Sequence, residues 1–281
     1  NLQRTVQMQV TDGDGGTSVT DTVVVNVIQR NDTPTVTVPG SNLTATEGIP
    51  LDIHSAGISL GDPDAVNATL RLSLSVDHGT LSISIGNSGL SLISGNGSAN
   101  LVFDGTLTQL NNLLAGATTG TLTFVTSGDA PPAQVTLTVT LNDNGNTGID
   151  PGLTGDGTYE IGTGTALIDI TAVNDAPTLT DGNNVTRNEG VGNALFNAST
   201  ITDPDSGDFS GGTLTFTITA GGDPTDTISI VPLGGVTTSG SDVLVSGVTV
   251  GTFSGGTAGS PLLVTFNSSA TLVRAHAVLQ A

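Results

Sequence analysis

The chain contains no cysteine, no lysine and no tryptophan. Without Cys there is no disulfide scaffold, no thiolate nucleophile and no Cys-ligated zinc or iron–sulfur site. Five basic residues, all Arg, stand against 25 acidic ones, for a net charge of −20. So few positive charges exclude non-specific binding to a phosphate backbone, which depends on clustered Lys and Arg, and exclude a basic face for anionic lipid. No apolar run approaches the ~18 residues of a membrane span, and the first residues lack the pattern of a secretory signal. Aromatics are only 3% of the chain, and Tyr159 is the one tyrosine.

What remains is a 281-residue chain in which 36% of residues are hydrophobic. That is too many for a disordered acidic tail, and the core has to come from Val, Leu, Ile and Thr. The 39 glycines and 12 prolines imply many turns. At roughly 150 residues per domain the length suits two domains. The expectation is an acidic, soluble, all-β protein.

Strict alternation, the mark of a half-buried strand, recurs along the chain. It is seen at Val6-Met8-Val10, Leu70-Leu72-Leu74-Val76, Leu81-Ile83-Ile85, Val135-Leu137-Val139-Leu141 and Leu214-Phe216-Ile218. The intervening residues are mostly Thr and Ser, which suit a solvated sheet face. Gly, Asn and Asp clusters separate the runs, as in an antiparallel sandwich. Two segments instead follow helical spacing: Leu107, Leu110 and Leu114, and later Leu272, Ala275 and Leu279. Both follow a Phe, then Asp or Asn, then small residues suited to capping a short helix.

The matched helices signal a repeat. Arg30-Asn31-Asp32-Thr33-Pro34 and Val173-Asn174-Asp175-Ala176-Pro177 lie 143 residues apart. Glu47-Gly48 and Glu189-Gly190 follow in turn, and then Asp62-Pro63-Asp64 and Asp203-Pro204-Asp205. The segment before the first linker (5–18) also matches the one before the second (134–148). Residues 1–30 therefore read as the final strands of a preceding repeat, 31–173 as a complete repeat, and 174–281 as a repeat lacking its last strands.

Strand parity places the acids. One strand at about 34–44 and a return strand at about 50–60 put Glu47 at the exit end of the repeat and Asp62 and Asp64 at the entry end. The loop before the last strand brings Asp143 to the entry end as well, with Asp32. Glu47 is expected near Asn174, Asp175, Asp203 and Asp205. Converging carboxylates repel and raise one another's pKa unless a cation neutralises them. Hard oxygen ligands, six to eight per ion, are the chemistry of Ca2+, whereas Mg2+ demands tighter octahedral geometry and keeps its waters. An isolated pair such as Asp104-Gly105 reads simply as a turn.

In their order, the Asn-Asp-x-Pro linkers, the Glu-Gly, the Asp-Pro-Asp and the Val10-Thr11-Asp12-Gly13-Asp14-Gly15-Gly16 run resemble the bacterial cadherin-like repeats of large secreted and surface-anchored adhesins. The resemblance spans essentially the whole chain. It implies tandem Ig-like Greek-key sandwiches with Ca2+ at each junction, in a protein of cell attachment or biofilm scaffolding. It further implies that Glu47 serves the following junction and Asp62, Asp64 and Asp143 the preceding one. Asn31, Asp32, Asn174 and Asp175 would be linker ligands, and Asp12 and Asp14 would serve a junction before residue 1. By the repeat, Glu189, Asp203 and Asp205 take the corresponding places. The Asp-Arg-Glu motif of animal cadherins is not recognisable and the linker is shorter than theirs, so one or two ions per junction are expected.

Catalytic signals are sparse. His54, His78 and His276 are the only histidines, with no His-x-x-x-His or His-Glu-x-x-His spacing. There is no Gly-x-Ser-x-Gly elbow and no phosphate loop. His54 is expected on a strand, His78 in a hairpin turn and His276 on the second helix. An enzyme is not expected. Sequons at Asn42, Asn67 and Asn197 arise readily in a chain so rich in Asn, Ser and Thr.

Two functions follow. The first is an extracellular, calcium-stiffened adhesin or scaffold segment, whose partners are neighbouring repeats of the same or identical chains, with surface glycans or proteins recognised through other regions. The alternative is a self-assembling subunit of an extracellular filament, sheath or surface layer, in which strands 1–30 complete a neighbour's C-terminal domain. A calcium-dependent glycan-binding module is a weaker third, because no exposed aromatic platform accompanies it. Nucleic acid and membrane insertion are not expected.

Overall fold

The computed structural model describes residues 2–65, 67–146, 148–149, 159–180, 185–186 and 194–281. The protein is all-β, with two short helices among the described residues, and it divides into two compact units, Asn1–Val173 and Asn174–Ala281.

Unit 1 opens with a hairpin of β1 (Leu2–Met8) and β2 (Asp21–Val27). The sandwich follows: β3 (Thr35–Thr37), β4 (Leu43–Thr46), β5 (Leu51–Asp52), β6 (Ser59–Gly61), β7 (Thr69–Val76), β8 (Thr80–Ser84), β9 (Ser91–Ser94) and β10 (Asn100–Thr106). Helix α1 (Leu107–Leu114) comes next, then β11 (Thr121–Val125), β12 (Gln134–Asn142) and β13 (Ile161–Thr171). One sheet runs β4-β13-β12-β7-β10-β9; it packs against β5-β11-β8, and β3 pairs with β6.

Alternation decides which faces meet. Leu70, Leu72 and Leu74 of β7, Val135, Leu137, Val139 and Leu141 of β12, and Leu122 and Phe124 of β11 all enter one core. The Thr and Ser between them lie on the opposite face. Burying each Leu or Phe contributes about 1.5–3 kcal/mol.

Helix α1 starts where Thr106 accepts the Gln109 amide while the Gln109 side chain accepts the Thr106 amide, a reciprocal capping box. It ends at Gly116, whose φ of +70° closes the last turn at little steric cost. Leu110, Leu113 and Leu114 are its buried face.

Four expectations change. The single strand at 34–44 is two, β3 and β4, in different sheets. Pro39 and Gly40 separate them, since Pro has no amide for the ladder. The return strand at 50–60 is β5 and β6, split by a turn in which Ser55 and Gly57 have φ of +56° and +84°. His54 therefore lies in a turn rather than a strand, its amide held 2.8 Å from the Asp52 carboxylate. Asp104 is likewise not in a turn but within β10, opposite Arg71 of β7. Two 2.9 Å bonds join that carboxylate and guanidinium.

Unit 2 comprises β14 (Thr178–Thr180), β15 (Thr200–Thr202), β16 (Thr213–Phe216), β17 (Val236–Ser239), β18 (Asp242–Val245), β19 (Val248–Gly255), β20 (Leu262–Phe266) and α2 (Leu272–Gln280). Its main sheet runs β16-β20-β19-β18-β17, while β14 pairs with β15. Val243, Val250, Val264, Ala275 and Val278 form its core. Thr271 begins α2 without a side-chain cap bond.

Candidate metal centre

At the entry end of unit 1 four pieces of chain meet through strand pairing. The β3–β6 ladder sets Thr35 opposite Gly61, so the residues just outside it, Asn31-Asp32 and Asp62-Pro63-Asp64, are neighbours. The β12–β13 ladder ends with Asn142 opposite Ile161, so the next residues outward are Asp143 and Glu160. Gly162 lets the entering segment lie flat on β13: a Cβ there would stand 2.1 Å from the Pro34 carbonyl oxygen.

The contacts are short and specific. The Asp32 amide donates to Asp64 Oδ2 at 2.6 Å. The Asn31 side-chain amide donates to Asp143 Oδ2. Asp143 Oδ1 accepts the amides of Gly145 and Glu160, both at 2.8 Å. Asp62 Oδ1 accepts the amides of Asp64 and Ala65 at 2.9 and 3.1 Å. Asn31, Asp143 and Glu160 are buried, the two acids completely. Asp62 Oδ2 is buried without a hydrogen-bond partner. Burial pushes the Asp62 carboxyl above its ordinary value; the Asp64 and Ala65 amides oppose this, and the charges of Asp143 and Asp64 add to it.

Among the described residues the ion pairs are Arg71–Asp104 and His54–Asp52, both outside this cluster. Nor do any three or more His, Asp or Glu side chains among the described residues form a ready-made ion cage. The carboxylates turn instead onto backbone amides. The donor set is nonetheless all hard oxygen, with Asp62 Oδ2 orphaned, which is the chemistry Ca2+ takes.

Glu47 stands apart from this group. The parallel β4–β13 pairing carries it beside the end of unit 1, where its amide donates to the Thr171 carbonyl and Oε2 accepts the Val173 amide at 2.8 Å. Its Oε1 is buried without a hydrogen-bond partner.

Unit 2 repeats part of the pattern. The Asp175 amide donates to Asp205 Oδ2 at 3.1 Å, and Asp203 Oδ1 accepts the amides of Asp205 and Ser206 at 3.3 and 2.9 Å. Desolvation opposes ionisation of Asp203, but the Ser206 amide and hydroxyl and the Asp205 amide outweigh it, leaving the carboxyl below its ordinary value. The same motif thus shifts in opposite directions in the two units. In unit 1 Asp143, at the end of β12, lies against Asp62. Among the described residues of unit 2 no strand takes that place. Asn174 donates to the Asp175 carbonyl.

Asp12 and Asp14 lie in the exposed β1–β2 loop. There Asp12 Oδ1 accepts the Gly16 and Asp14 amides, which lower its pKa. Glu189 lies outside the described residues. The structure therefore gathers Asn31, Asp32, Asp62, Asp64 and Asp143, and adds Glu160, which the sequence reading overlooked. Its signal was available: it is one of only three Glu, and it immediately precedes the last strand of the repeat. His78 bonds the Ser127 carbonyl at 2.7 Å and His276 accepts the Ile201 amide at 3.4 Å.

No protein-family model matches the chain, and no curated protein matches it. Among solved structures, mouse protocadherin-24 EC1-3 is similar at 12% identity over 95% of this chain and 67% of that one, with a TM-score of 0.30. Domains 4–9 of the surface layer protein SbsC match at 12% identity, 95% and 31% coverage and a TM-score of 0.25. A nucleoside hydrolase-related hypothetical protein from Saccharophagus degradans matches at 15% identity over 50% of this chain, with a TM-score of 0.24. This chain spans only 26% of that protein. At TM-scores this low the all-β assignment rests on the strand pairing described above.

Proposed function

We propose that the chain is a calcium-stiffened repeat segment of an extracellular adhesin or surface scaffold, a spacer in cell attachment or biofilm whose specific recognition resides in other regions. The observation that supports this most is Asp62. Its Oδ2 is buried without a hydrogen-bond partner beside Asp64 and Asp143, and the ion pairs among the described residues lie outside this cluster.

Asn31, Asp32, Asp62, Asp64, Asp143 and Glu160 would hold the ion at the entry end, and Glu47 would serve the exit. Asp175, Asp203 and Asp205 offer the corresponding oxygens in unit 2. Bound there, Ca2+ supplies the positive charge that these side chains do not provide for one another. The residues do the rest: Gly145, Glu160, Asp64 and Ala65 aim carboxylates through their amides, and the β3–β6 and β12–β13 ladders hold those amides in place. A net charge of −20 suits an exterior with millimolar calcium.

The test is the melting temperature in millimolar Ca2+ and in excess EGTA, with Mg2+ present in both. At a free concentration about 100-fold above the dissociation constant the gain is about 2.7 kcal/mol. For a unit of this size that is a rise of about 5–10 °C. No calcium-specific rise would leave the acids as structural residues held by backbone amides and overturn the reading.

A further inference from the structure

Each unit ties its helix to the same strand of the repeat, but through a different side chain. The β3–β6 ladder pairs Val36 with Leu60, and the β14–β15 ladder pairs Leu179 with Ile201. Leu60 and Ile201 therefore hold one place in the repeat, each two residues before its Asp-Pro-Asp turn. The helices match as closely. Leu110, Leu113 and Leu114 are the buried residues of α1, and Ala275, Val278 and Leu279 those of α2. That spacing gives Asn111 and His276 the same helix position. In unit 1 the Asn111 side chain grips both backbone groups of Leu60: Oδ1 accepts the amide and Nδ2 donates to the carbonyl, each at 2.9 Å. In unit 2 His276 Nδ1 accepts the Ile201 amide at 3.4 Å, and the Gln280 side chain donates to the Ser199 carbonyl at 3.1 Å.

Acid acts differently on these two fastenings. A carboxamide neither gains nor loses a proton near neutral pH. An imidazole does, between about pH 5 and 8, and once protonated it donates from both nitrogens. A proton on His276 Nδ1 would set two donors against each other and leave the amide of the buried Ile201 without its acceptor. Helix α2 packs against β15 and β18. β15 has no charged residue, and β18 has Asp242. Asp203 and Asp205 follow β15, and Asp208 bridges to Thr271 at the start of α2. Arg274, on α2 itself, donates to the Ser269 carbonyl. Among the described residues no carboxylate forms an ion pair with His276 that would hold the charged ring in place.

We propose that His276 is a pH-sensitive latch. Deprotonated, it fastens α2 to β15; protonated, it lets go, so mild acid loosens unit 2 while unit 1, fastened by Asn111, stays closed. The open latch takes up the proton more readily than the closed one. The contribution of the latch is therefore present above the imidazole range and is lost as pH falls through it. That window lies above the ordinary carboxylate range, so it is separate from the titration of the acids. No metal enters the contact, and the inference stands or falls apart from the calcium reading.

The experiment is amide hydrogen exchange of the full chain in EGTA, from about pH 8 to about pH 5, with each rate corrected for the intrinsic effect of pH. Protection of the Ile201 amide should fall about two- to tenfold across this range, the worth of one ordinary hydrogen bond, while that of Leu60 holds. The midpoint of the fall should coincide with the titration of the His276 ring followed by NMR, and not with that of His54 or His78. His276→Asn, which puts the side chain of unit 1 in place, should keep Ile201 protected at both ends of the range. His276→Ala should show the acid level of protection throughout. Constant protection of Ile201, an equal loss at Leu60, or a midpoint that follows another histidine overturns the proposal. So does a pH dependence that survives in His276→Asn. The wild-type titration decides the matter by itself if a variant fails to fold.

Discussion

Asp143 and Glu160 face each other at the end of the β12–β13 ladder, both fully buried, with the Glu160 amide 2.8 Å from Asp143 Oδ1 and the Asp143 amide returning to the Glu160 carbonyl. Buried acids need polar partners, and Asp143 Oδ1 finds them in the Gly145 and Glu160 amides. That pairing makes the ladder's end the place where charge, burial and strand register meet.

Asp62→Asn should reverse the sign of its effect with calcium. Asn keeps the oxygen that accepts the Asp64 and Ala65 amides and removes the orphaned anionic one. In EGTA at pH 7 unit 1 should be as stable as wild type or more so; in Ca2+ it should lose most of the calcium-dependent rise. Thermal melts of both proteins in both buffers decide this.

The same substitution carries a pH signature. Asp62 has a raised folded pKa, so between its unfolded and folded values the native state holds the extra proton, and stability falls as pH rises through that window. The advantage of Asp62→Asn in EGTA should vanish near pH 3.9, the ordinary Asp value, and be complete above the folded pKa. Denaturant titrations at several pH values would show an opposite trend if the assignment were wrong.

Asp203 behaves in the contrary sense. Its folded pKa is lowered, so its contribution is present above the ordinary Asp value and is lost as pH falls through the folded one. Asp203→Ala should lower the melting temperature of unit 2 at pH 7, with the deficit shrinking in acid.

Ile168→Ala should cost about 2–5 kcal/mol, as for a fully buried aliphatic residue. Val25→Ala, 143 residues earlier and exposed on the β1–β2 hairpin, should change stability by less than about 0.5 kcal/mol. Equilibrium unfolding measures both. A large Val25 effect would mean that its side chain is covered in solution.

Thr106→Ala removes one half of the α1 capping box and should cost about 1 kcal/mol. Thr271→Ala, at the start of α2 where no side-chain cap bond forms, should cost less. The pair separates capping from helix propensity.

Much of this was legible in the chain itself. The alternation of Leu70–Val76 and Val135–Leu141 marks strands because side chains on a pleated backbone point to opposite faces. Leu107, Leu110 and Leu114 mark a helix by the same geometric reasoning. The ordering of Asn31, Glu47 and Asp62, recurring at Asn174, Glu189 and Asp203, reveals the repeat. What sequence reading missed lay where the pattern was interrupted: Pro39 divided one expected strand between two sheets, and the turn at Ser55 and Gly57 divided another.

Local pattern and charge were therefore determined by the sequence alone, because strand alternation, helix spacing, capping and acidity depend only on residues near one another in the chain. Burial was decided by the tertiary structure. Val6–Val25 and Leu137–Ile168 belong to hairpins of the same pattern and register, yet one pair is open to water and the other is core. Asp62 and Asp203 occupy the same motif, yet one titrates high and the other low. In each case the difference lies in which strand packs alongside, a contact made by residues distant in the chain.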